Sequence, residues 1–198
     1  MAFFKQVIID EETGERCDYK EENDVRRVVN YAMGKSYYTE YSRLALFSPK
    51  CVADQMIAFQ RCRGKAMSKR AFHFVLSFYT DGYERFVDRN TIIMTMQWMN
   101  INFFPDSQKI LCLHEDAIDH LHIHMVVNPM NIDNYNIIRY NLMGMMYQLA
   151  EYLGGFYGIS LQGVSYQDVN GTIQKGRETG NGLYQKNWCI ENGFRTVM

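Results

Sequence analysis

Four of the five histidines in this 198-residue chain lie within eleven consecutive positions that end at His124. In the segment 121–128, LHIHMVVN, histidines alternate with apolar residues, and this two-residue period predicts a strand with one buried face. Side chains at i and i+2 of a strand point to the same side, roughly 6.5 to 7 Å apart. His122 and His124 are therefore predicted to face away from the core together.

These two histidines are spaced to bind one cation, because the bond from an imidazole nitrogen to a zinc ion is only about 2.0 to 2.1 Å long. The third ligand has to come from a neighbouring strand. His114 follows the predicted strand 109–113 and folds back beside His122 in a short hairpin. His120 is a poor third ligand, since it lies roughly 13 Å from His124 along the strand.

Three neutral nitrogens leave coordination positions open, as in catalytic metal sites, and they accept Mn²⁺, Co²⁺, Ni²⁺ or Zn²⁺. The triad His114, His122 and His124 is therefore predicted to be a catalytic metal site. The structural alternative is a surface hairpin whose histidines are only hydrogen-bonded.

The rest of the chain alternates between strand and helix patterns. The predicted strands are Phe3–Ile9, 71–78, 109–113, 121–128 and Ile159–Val164. The predicted helices begin at a cap at Asn23 or Asp24, at Ser48-Pro49, at Asp88 and near Leu142; the first ends at Gly34, the third before Pro105 and the last at Leu153, before Gly154-Gly155.

This order of elements predicts an α+β fold. It contains a central antiparallel sheet of about five strands, with helices packed mainly on one face and the other face free. Residues 1–165 form one predicted domain. Residues 166–198 form an extension that wraps the domain or is partly mobile.

Composition limits the class of protein. The chain is 47% hydrophobic and 22% charged, as globular domains are, and no apolar run approaches the roughly 18 to 20 residues of a membrane helix. Five cysteines without a CxxC pair favour reduced thiols. Together with an N-terminus that does not resemble an export signal, they predict a cytoplasmic protein without membrane insertion.

The net charge of −1 hides a segregation of charge along the chain. Residues 10–24 contain eight acidic and two basic residues, whereas no acidic residue occurs between Asp54 and Asp81. In that interval a basic strip of five residues falls within ten positions: Arg61, Arg63, Lys65, Lys69 and Arg70. Such a strip is either a solvated loop or a surface for nucleic-acid phosphates.

Three segments resemble, in their order along the chain, the motifs of a known enzyme family. The segment 114–128, HEDAIDHLHIHMVVN, resembles the third motif of the conjugative relaxases, the plasmid mobilisation nucleases of the HUH endonuclease superfamily. The segment 28–36, VVNYAMGKS, resembles the first motif, and 71–78, AFHFVLSF, resembles the second. The resemblance covers about residues 1–165.

Relaxases cut one DNA strand at an origin of transfer by transesterification and later rejoin it, and the resemblance carries this activity to particular residues. It implies that Tyr31 is the nucleophile and leaves a 5′-phosphotyrosine, that the histidine triad holds a divalent ion (Mn, Mg, Zn, Ni or Co), and that Ser77 contacts DNA near the cut. Lys35, which follows the tyrosine in the first motif, and the basic strip are then predicted to bind DNA. The implied partners are single-stranded origin-of-transfer DNA and accessory relaxosome or coupling proteins.

A phenol with an ordinary pKa near 10 is a weak nucleophile at neutral pH, so the reaction needs a base or a polarised phosphate. The candidates for the base are Asp116, His120 and a hydroxide on the metal. The acidic residues of the hairpin, Asp116 with Glu115 and Asp119, could also orient the imidazoles. His73 shares a predicted strand face with Ser77 and is either a similar supporting residue or a buried, hydrogen-bonded histidine.

Several alternatives stay open. Tyr37 or Tyr38 could be the nucleophile in place of Tyr31, because tyrosines are abundant here. The function could also be that of a rolling-circle replication initiator or of a non-catalytic single-stranded DNA-binding module with the same fold. A further hypothesis is an unrelated three-histidine metalloenzyme, such as a dioxygenase. This hypothesis does not explain the helix that carries Tyr31 or the basic strip.

Overall fold

The computed structural model describes residues 1–8, 17–64, 67–79, 87–117, 120–169 and 172–179. Four helices lie in these ranges: α1 (Glu22–Gly34), α2 (Pro49–Arg61), α3 (Arg89–Asn102) and α4 (Leu142–Tyr157). The strands of the described ranges are β1 (Ala2–Gln6), β2 (Ser36–Ser42), β3 (Phe72–Tyr79), β4 (Ser107–Ala117), β5 (His120–Asn131), β6 (Leu161–Val169) and β7 (Thr172–Thr179).

The strands form one mixed sheet in the order β2-β4-β5-β3-β1-β6-β7. Every neighbouring pair is antiparallel except β1 and β6, which are parallel. The predicted α+β class is confirmed, and so is the hairpin of β4 and β5 that carries the histidines.

The predicted number of strands was too low by two, because β2 and β7 were not recognised. Both are edge strands of the sheet, paired on one side only. An edge strand buries little, so its sequence does not need the apolar alternation that identifies a strand. The segment SYYTEYS of β2 contains no fully buried residue, and β7 lies in the tail that was predicted as an extension.

One face of the sheet carries the main hydrophobic core, against α3 and α4. The alternation predicted for β3 is confirmed here, since Phe72, Phe74, Leu76 and Phe78 all belong to this core. The apolar stripes of α3 and α4 complete it with Ile92, Met96, Met99, Leu149 and Leu153.

The opposite face of the sheet is not free, which corrects the prediction that helices pack mainly on one side. A second core joins α1 and α2 to the sheet residues Ala71, Ile110, Cys112 and Val126. The physical reason is that α1 and α2 each have an apolar stripe that has to be buried. The face that already carries α3 and α4 cannot cover two more helices, so α1 and α2 pack on the opposite face. His114, His122 and His124 lie on the same face as this second core.

Local signals set most helix ends. Ser48 accepts a hydrogen bond from the backbone N–H of Cys51, and Asp88 accepts one from Thr91, so both predicted caps are confirmed. The cap of α1 is Glu21 rather than Asn23 or Asp24; the Asp24 carboxylate instead accepts the backbone N–H of Glu21.

The end of α4 differs from the prediction. The helix continues through Gly154 and Gly155 and stops at Gly158, whose φ of 64° is the left-handed conformation that glycine adopts without steric cost. No helix among the described residues is both long and apolar enough to cross a membrane.

Candidate active site

The three histidines of the predicted metal site come together on two adjacent strands. In the sheet register, His114 of β4 pairs with His122 of β5, and His122 pairs with Ser77 of β3. His124 is two residues further along β5, on the same face. All three histidines are buried, with exposed fractions of 0%, 8% and 4% for His114, His122 and His124.

This triad fits a metal ion. One ring nitrogen from each histidine lies within 4.8 Å of the other two. In addition, two buried nitrogens of the triad, Nδ1 of His114 and Nε2 of His124, make no hydrogen bond to a described residue. Buried polar atoms in native proteins nearly always have a partner, so two such nitrogens side by side favour a cation as the missing partner.

The second nitrogen of His114 is hydrogen-bonded to α1. Its Nε2 lies 2.6 Å from the carbonyl oxygen of Ala32. A carbonyl can only accept, so Nε2 carries the proton and donates it. In a neutral ring Nδ1 then has the free lone pair that a metal ion requires.

The second nitrogen of His124 belongs to a buried chain of hydrogen bonds. Its Nδ1 lies 2.8 Å from Nε2 of His73, and Nδ1 of His73 lies 2.9 Å from the hydroxyl of Tyr19. If Nε2 of His124 binds the metal, its Nδ1 carries the proton and donates it to His73. His73 then donates from its own Nδ1 to Tyr19. This chain of hydrogen bonds can therefore accommodate the tautomer of His124 that binds metal.

Burial keeps the imidazoles of His73 and His124 neutral. It lowers the pKa of His73 to about 3, and the positive charge of Lys5 acts in the same direction. The pKa of His124 is also lowered, first by burial and then by the neighbouring histidines, beginning with His73. A neutral imidazole is the form that binds metal ions.

The ring of Tyr31 lies against the histidines. Its centroid is 5.1 Å from that of His124, 5.8 Å from that of His114 and 6.5 Å from that of His73, each in an edge-to-face arrangement. Tyr31 belongs to α1, whose buried residues Val28, Val29 and Ala32 hold the helix on this face of the sheet. Tyr31 itself is 49% exposed, so a large substrate can reach its side chain.

The two alternative tyrosines point elsewhere. Tyr38 packs against the core on the opposite face of the sheet, and its hydroxyl donates to the Glu40 carboxylate, which raises its pKa. The ring of Tyr37 lies under the guanidinium of Arg89, at 5.0 Å, and Arg89 belongs to α3 on that opposite side. The geometry therefore favours Tyr31 over both.

The basic strip is only partly available to a ligand. The guanidinium of Arg61 forms two hydrogen bonds with the Glu22 carboxylate, at 2.6 and 2.9 Å. Arg70 donates to the backbone oxygen of Lys20, which precedes α1, and to the side-chain oxygen of Gln60 in α2. It therefore connects these two segments of the chain.

The other predicted DNA contacts have different surroundings. The ammonium of Lys69 lies 5.9 Å from the ring of Phe72. Arg63 is partly exposed and makes no side-chain ion pair within the described ranges. Lys65 lies outside the described residues. Lys35 is the C-terminal cap residue of α1 and follows Tyr31 by about one helical turn.

Four further predicted residues belong to β3, to the strands of the triad or to the loop between those strands. Ser77 is buried and pairs with His122, so it lies in the same row of the sheet as the histidine triad. The side chains of Asp116 and His120 lie outside the described part of the structure, although their backbones belong to β4 and β5. Asp119 lies outside it altogether.

Sequence reasoning missed Tyr19, Lys5 and the carbonyl of Ala32. Tyr19 meets His73 from 54 positions away along the chain, and no local pattern signals such a contact. Lys5 is in register with Val75, which is in register with His124, so β1 brings a positive charge to the histidine face. The alternation of side chains along β1 was the one signal that could have shown that Lys5 and the core residue Phe4 lie on opposite faces of the sheet.

A comparison with known protein families identifies the family of this chain. A family model described as relaxase, MobA/VirD2-like, nuclease domain matches residues 28–152, which run from α1 into α4 and contain Tyr31 and the histidine triad. The match supports a general role in DNA nicking and mobilisation for the chain. The chain belongs to the MobA/VirD2-like relaxase family. No curated protein and no solved structure matches it.

Proposed function

We propose that this protein nicks one DNA strand at an origin of transfer by attack of the Tyr31 hydroxyl on a phosphodiester, and later rejoins the strand. The attack forms a bond from the tyrosine oxygen to phosphorus and breaks the bond from phosphorus to the 3′ oxygen. The products are a 5′-phosphotyrosine and a free 3′-OH. The position of the Tyr31 ring, 5.1 Å from that of His124, is the observation that carries this proposal.

The histidine triad is proposed to hold a divalent ion through Nδ1 of His114, Nε2 of His124 and one ring nitrogen of His122. Such an ion, when bound, stabilises negative charge on the non-bridging oxygens of the phosphate. The chain's own part is to hold three neutral imidazoles at one point and to keep Tyr31 beside them. Because the adduct is a phosphodiester, the 3′-OH can attack it and restore the original bond.

The phenolic proton has to pass to a base as the tyrosine oxygen attacks. Asp116 and His120 are the candidates from this chain, because both belong to the hairpin that carries the triad. Each can be tested by substitution, since loss of the base lowers the rate of adduct formation more at low pH than at high pH.

DNA binding is proposed to involve Lys35, Ser77 and the basic strip. Lys35 follows Tyr31 by one turn of helix, so it lies near the path of the strand that the tyrosine attacks. Single-stranded origin DNA is the proposed substrate, with accessory relaxosome or coupling proteins as further partners.

The adduct itself provides the test. The protein is incubated with an origin-bearing single-stranded oligonucleotide and Mn²⁺ or Mg²⁺, and a species that survives SDS electrophoresis is expected. Peptide mapping should find the DNA fragment on Tyr31, and Tyr31→Phe should abolish the adduct. Tyr135→Phe is a matched control, because Tyr135 is similarly exposed, at 45%, but stacks on Phe59 away from the triad.

Other outcomes would contradict the proposal. An adduct that persists in Tyr31→Phe would place the nucleophile elsewhere. Tight oligonucleotide binding without cleavage under any divalent ion would favour a non-catalytic DNA-binding module. Nicking of replication origins in place of transfer origins would favour a replication initiator.

A further inference from the structure

His114 touches two parts of the active site at once. Its Nδ1 belongs to the proposed metal site, and its Nε2 donates a hydrogen bond of 2.6 Å to the carbonyl of Ala32. Ala32 directly follows Tyr31 in α1. The helix ends two residues later, at Gly34, so Ala32 lies in the last turn, where carbonyls have no partner further along the helix.

We infer that His114 is a positioning residue that couples the binding of a divalent ion to the placement of Tyr31, through its hydrogen bond to the Ala32 carbonyl. This inference rests on the proposed function, since it takes His114 to be a metal ligand. It adds a second role to that ligand, namely the cap of the helix that carries the nucleophile.

The physical reason is the polarisation of the imidazole. A cation on Nδ1 draws electron density from the ring and makes Nε2–H a stronger donor, as charged donors generally are. The bond to the Ala32 carbonyl then strengthens, and the last turn of α1 is held more firmly to β4. Because both partners are fully buried, at 0% exposure, water does not compete for this bond.

The coupling has to be reciprocal. If metal binding stabilises the last turn of α1, then a change that stabilises this turn must raise the affinity for metal, by at most the factor of its own stabilisation. The second nitrogen of His124 does not provide this link, because it faces His73 of β3 rather than α1.

Hydrogen–deuterium exchange of the full chain tests the first half of the inference, with Mn²⁺ alone as the probe. In the wild type, saturating Mn²⁺ is expected to slow exchange of the backbone amides in the last turn of α1 by about fivefold or more. His114→Asp keeps a ligand atom for Mn²⁺, a carboxylate oxygen, but loses the N–H that donates to the Ala32 carbonyl. When this variant is saturated with Mn²⁺ to the same degree as the wild type, the slowing of amide exchange should therefore be absent.

Two further variants separate the roles of His114. His122→Asp makes the same ligand exchange on β5 and leaves the bond to Ala32 in place, so Mn²⁺ should still slow exchange in α1. His114→Gln keeps an amide N–H that can reach the Ala32 carbonyl but is a poor ligand. It should preserve the metal-free exchange rate of the turn and lose its response to Mn²⁺.

The reciprocal half is tested without touching a ligand. Gly34 ends α1, and an added Cβ there meets nothing within 4 Å. Gly34→Ala raises the helix propensity of the last turn, so Mn²⁺ affinity measured by calorimetry should rise, by up to about fivefold. Gly155→Ala is the matched control, because Gly155 is also helical, in α4, with open space around its Cα. Its Mn²⁺ affinity should not change.

The outcomes distinguish failure of the coupling from failure of the metal site. If Mn²⁺ binds the wild type but does not slow exchange in α1, or slows it equally in His114→Asp, the coupling is wrong and the metal site stands. An unchanged affinity in Gly34→Ala would also contradict the coupling. If the wild type does not bind Mn²⁺ at all, both the proposed metal site and the coupling are overturned.

Discussion

The ring of Tyr31 lies edge-on to the ring of His124, with centroids 5.1 Å apart and ring planes inclined by 85°. One residue comes from a helix near the start of the chain and the other from a strand in its second half. Their contact joins the helix layer of α1 and α2 to the histidine face of the sheet.

Tyr37→Phe and Tyr38→Phe should both retain formation of the covalent DNA adduct. Tyr37 lies under Arg89, and Tyr38 donates its hydroxyl to Glu40 on the side of the sheet that carries α3. Neither hydroxyl is therefore expected to attack the phosphate. The measurement is the yield of SDS-resistant adduct beside that of Tyr31→Phe. Loss of adduct in a folded Tyr37 or Tyr38 variant would transfer the nucleophile to that residue.

His73→Phe should weaken metal binding. The substitution removes the acceptor for Nδ1–H of His124, so the tautomer that binds metal through Nε2 loses its support. We expect the Mn²⁺ affinity to fall by about 10- to 100-fold in calorimetry, the usual effect of removing such a partner.

His73→Gln is the conservative counterpart of that change. Its side-chain oxygen can accept the same proton, so it should recover much of the lost affinity. Tyr19→Phe removes only the outer hydroxyl of the chain and should cost less than His73→Phe. Equal affinities for His73→Phe and the wild type would show that the hydrogen bond to His124 does not support the metal site.

Arg63 and Arg61 should differ in their contribution to DNA binding. The charge of Arg61 is already paired with the Glu22 carboxylate, whereas Arg63 makes no side-chain ion pair within the described part of the chain. Arg63→Ala should therefore reduce the slope of log affinity against log salt by about 1, the value for one lost phosphate contact. Arg61→Ala should change this slope less. The measurement is oligonucleotide binding by Tyr31→Phe protein over a salt series, and equal slopes for both variants would contradict this prediction.

Lys109 should make stability depend on pH in the alkaline range. Its side chain is fully buried and donates to the backbone carbonyls of Phe103 and Phe104, and burial lowers its pKa to about 8 from 10.5. Between these values the unfolded chain binds more protons than the folded one, so this group makes the free energy of unfolding rise with pH from about 8 to 10.5.

The contribution is measured by urea unfolding at about pH 7 and about pH 10 in the wild type and in Lys109→Met. The wild type should gain stability relative to the variant at the higher pH. An identical pH dependence in both proteins would show that Lys109 keeps an ordinary pKa in the folded state.

Much of the fold was predictable because the relevant signals are local. The alternation in 121–128 assigned each histidine of β5 to a face, since neighbouring side chains of any strand point to opposite sides. The caps Ser48 and Asp88 act over three residues, so they were recognised without knowledge of the fold. Gly158 was missed as the end of α4, because two earlier glycines offered the same signal and packing of the helix decided between them.

The sequence predicted the three histidine ligands of the candidate site, but not the residues that hold these histidines in place. The triad could be proposed because its members are close in sequence and share a hairpin. The partners of their second nitrogens, Ala32 and His73, are 82 and 51 positions away. No pattern within a segment reports contacts of that range, since they depend on how strands pair and how the helices pack on the sheet.

Local periodicity in the amino-acid sequence is enough to specify the histidine strand, the hairpin that brings His114 beside His122, and the helix that carries Tyr31, because each involves only a few neighbouring residues. Only the packing of the folded chain places α1 and α2 over the histidine face, with Tyr31 against the triad and Tyr37 and Tyr38 away from it. The same packing pairs Glu22 with Arg61 of the basic strip. These outcomes depend on which apolar surfaces are buried together, a competition among distant segments that is settled only when the whole chain folds.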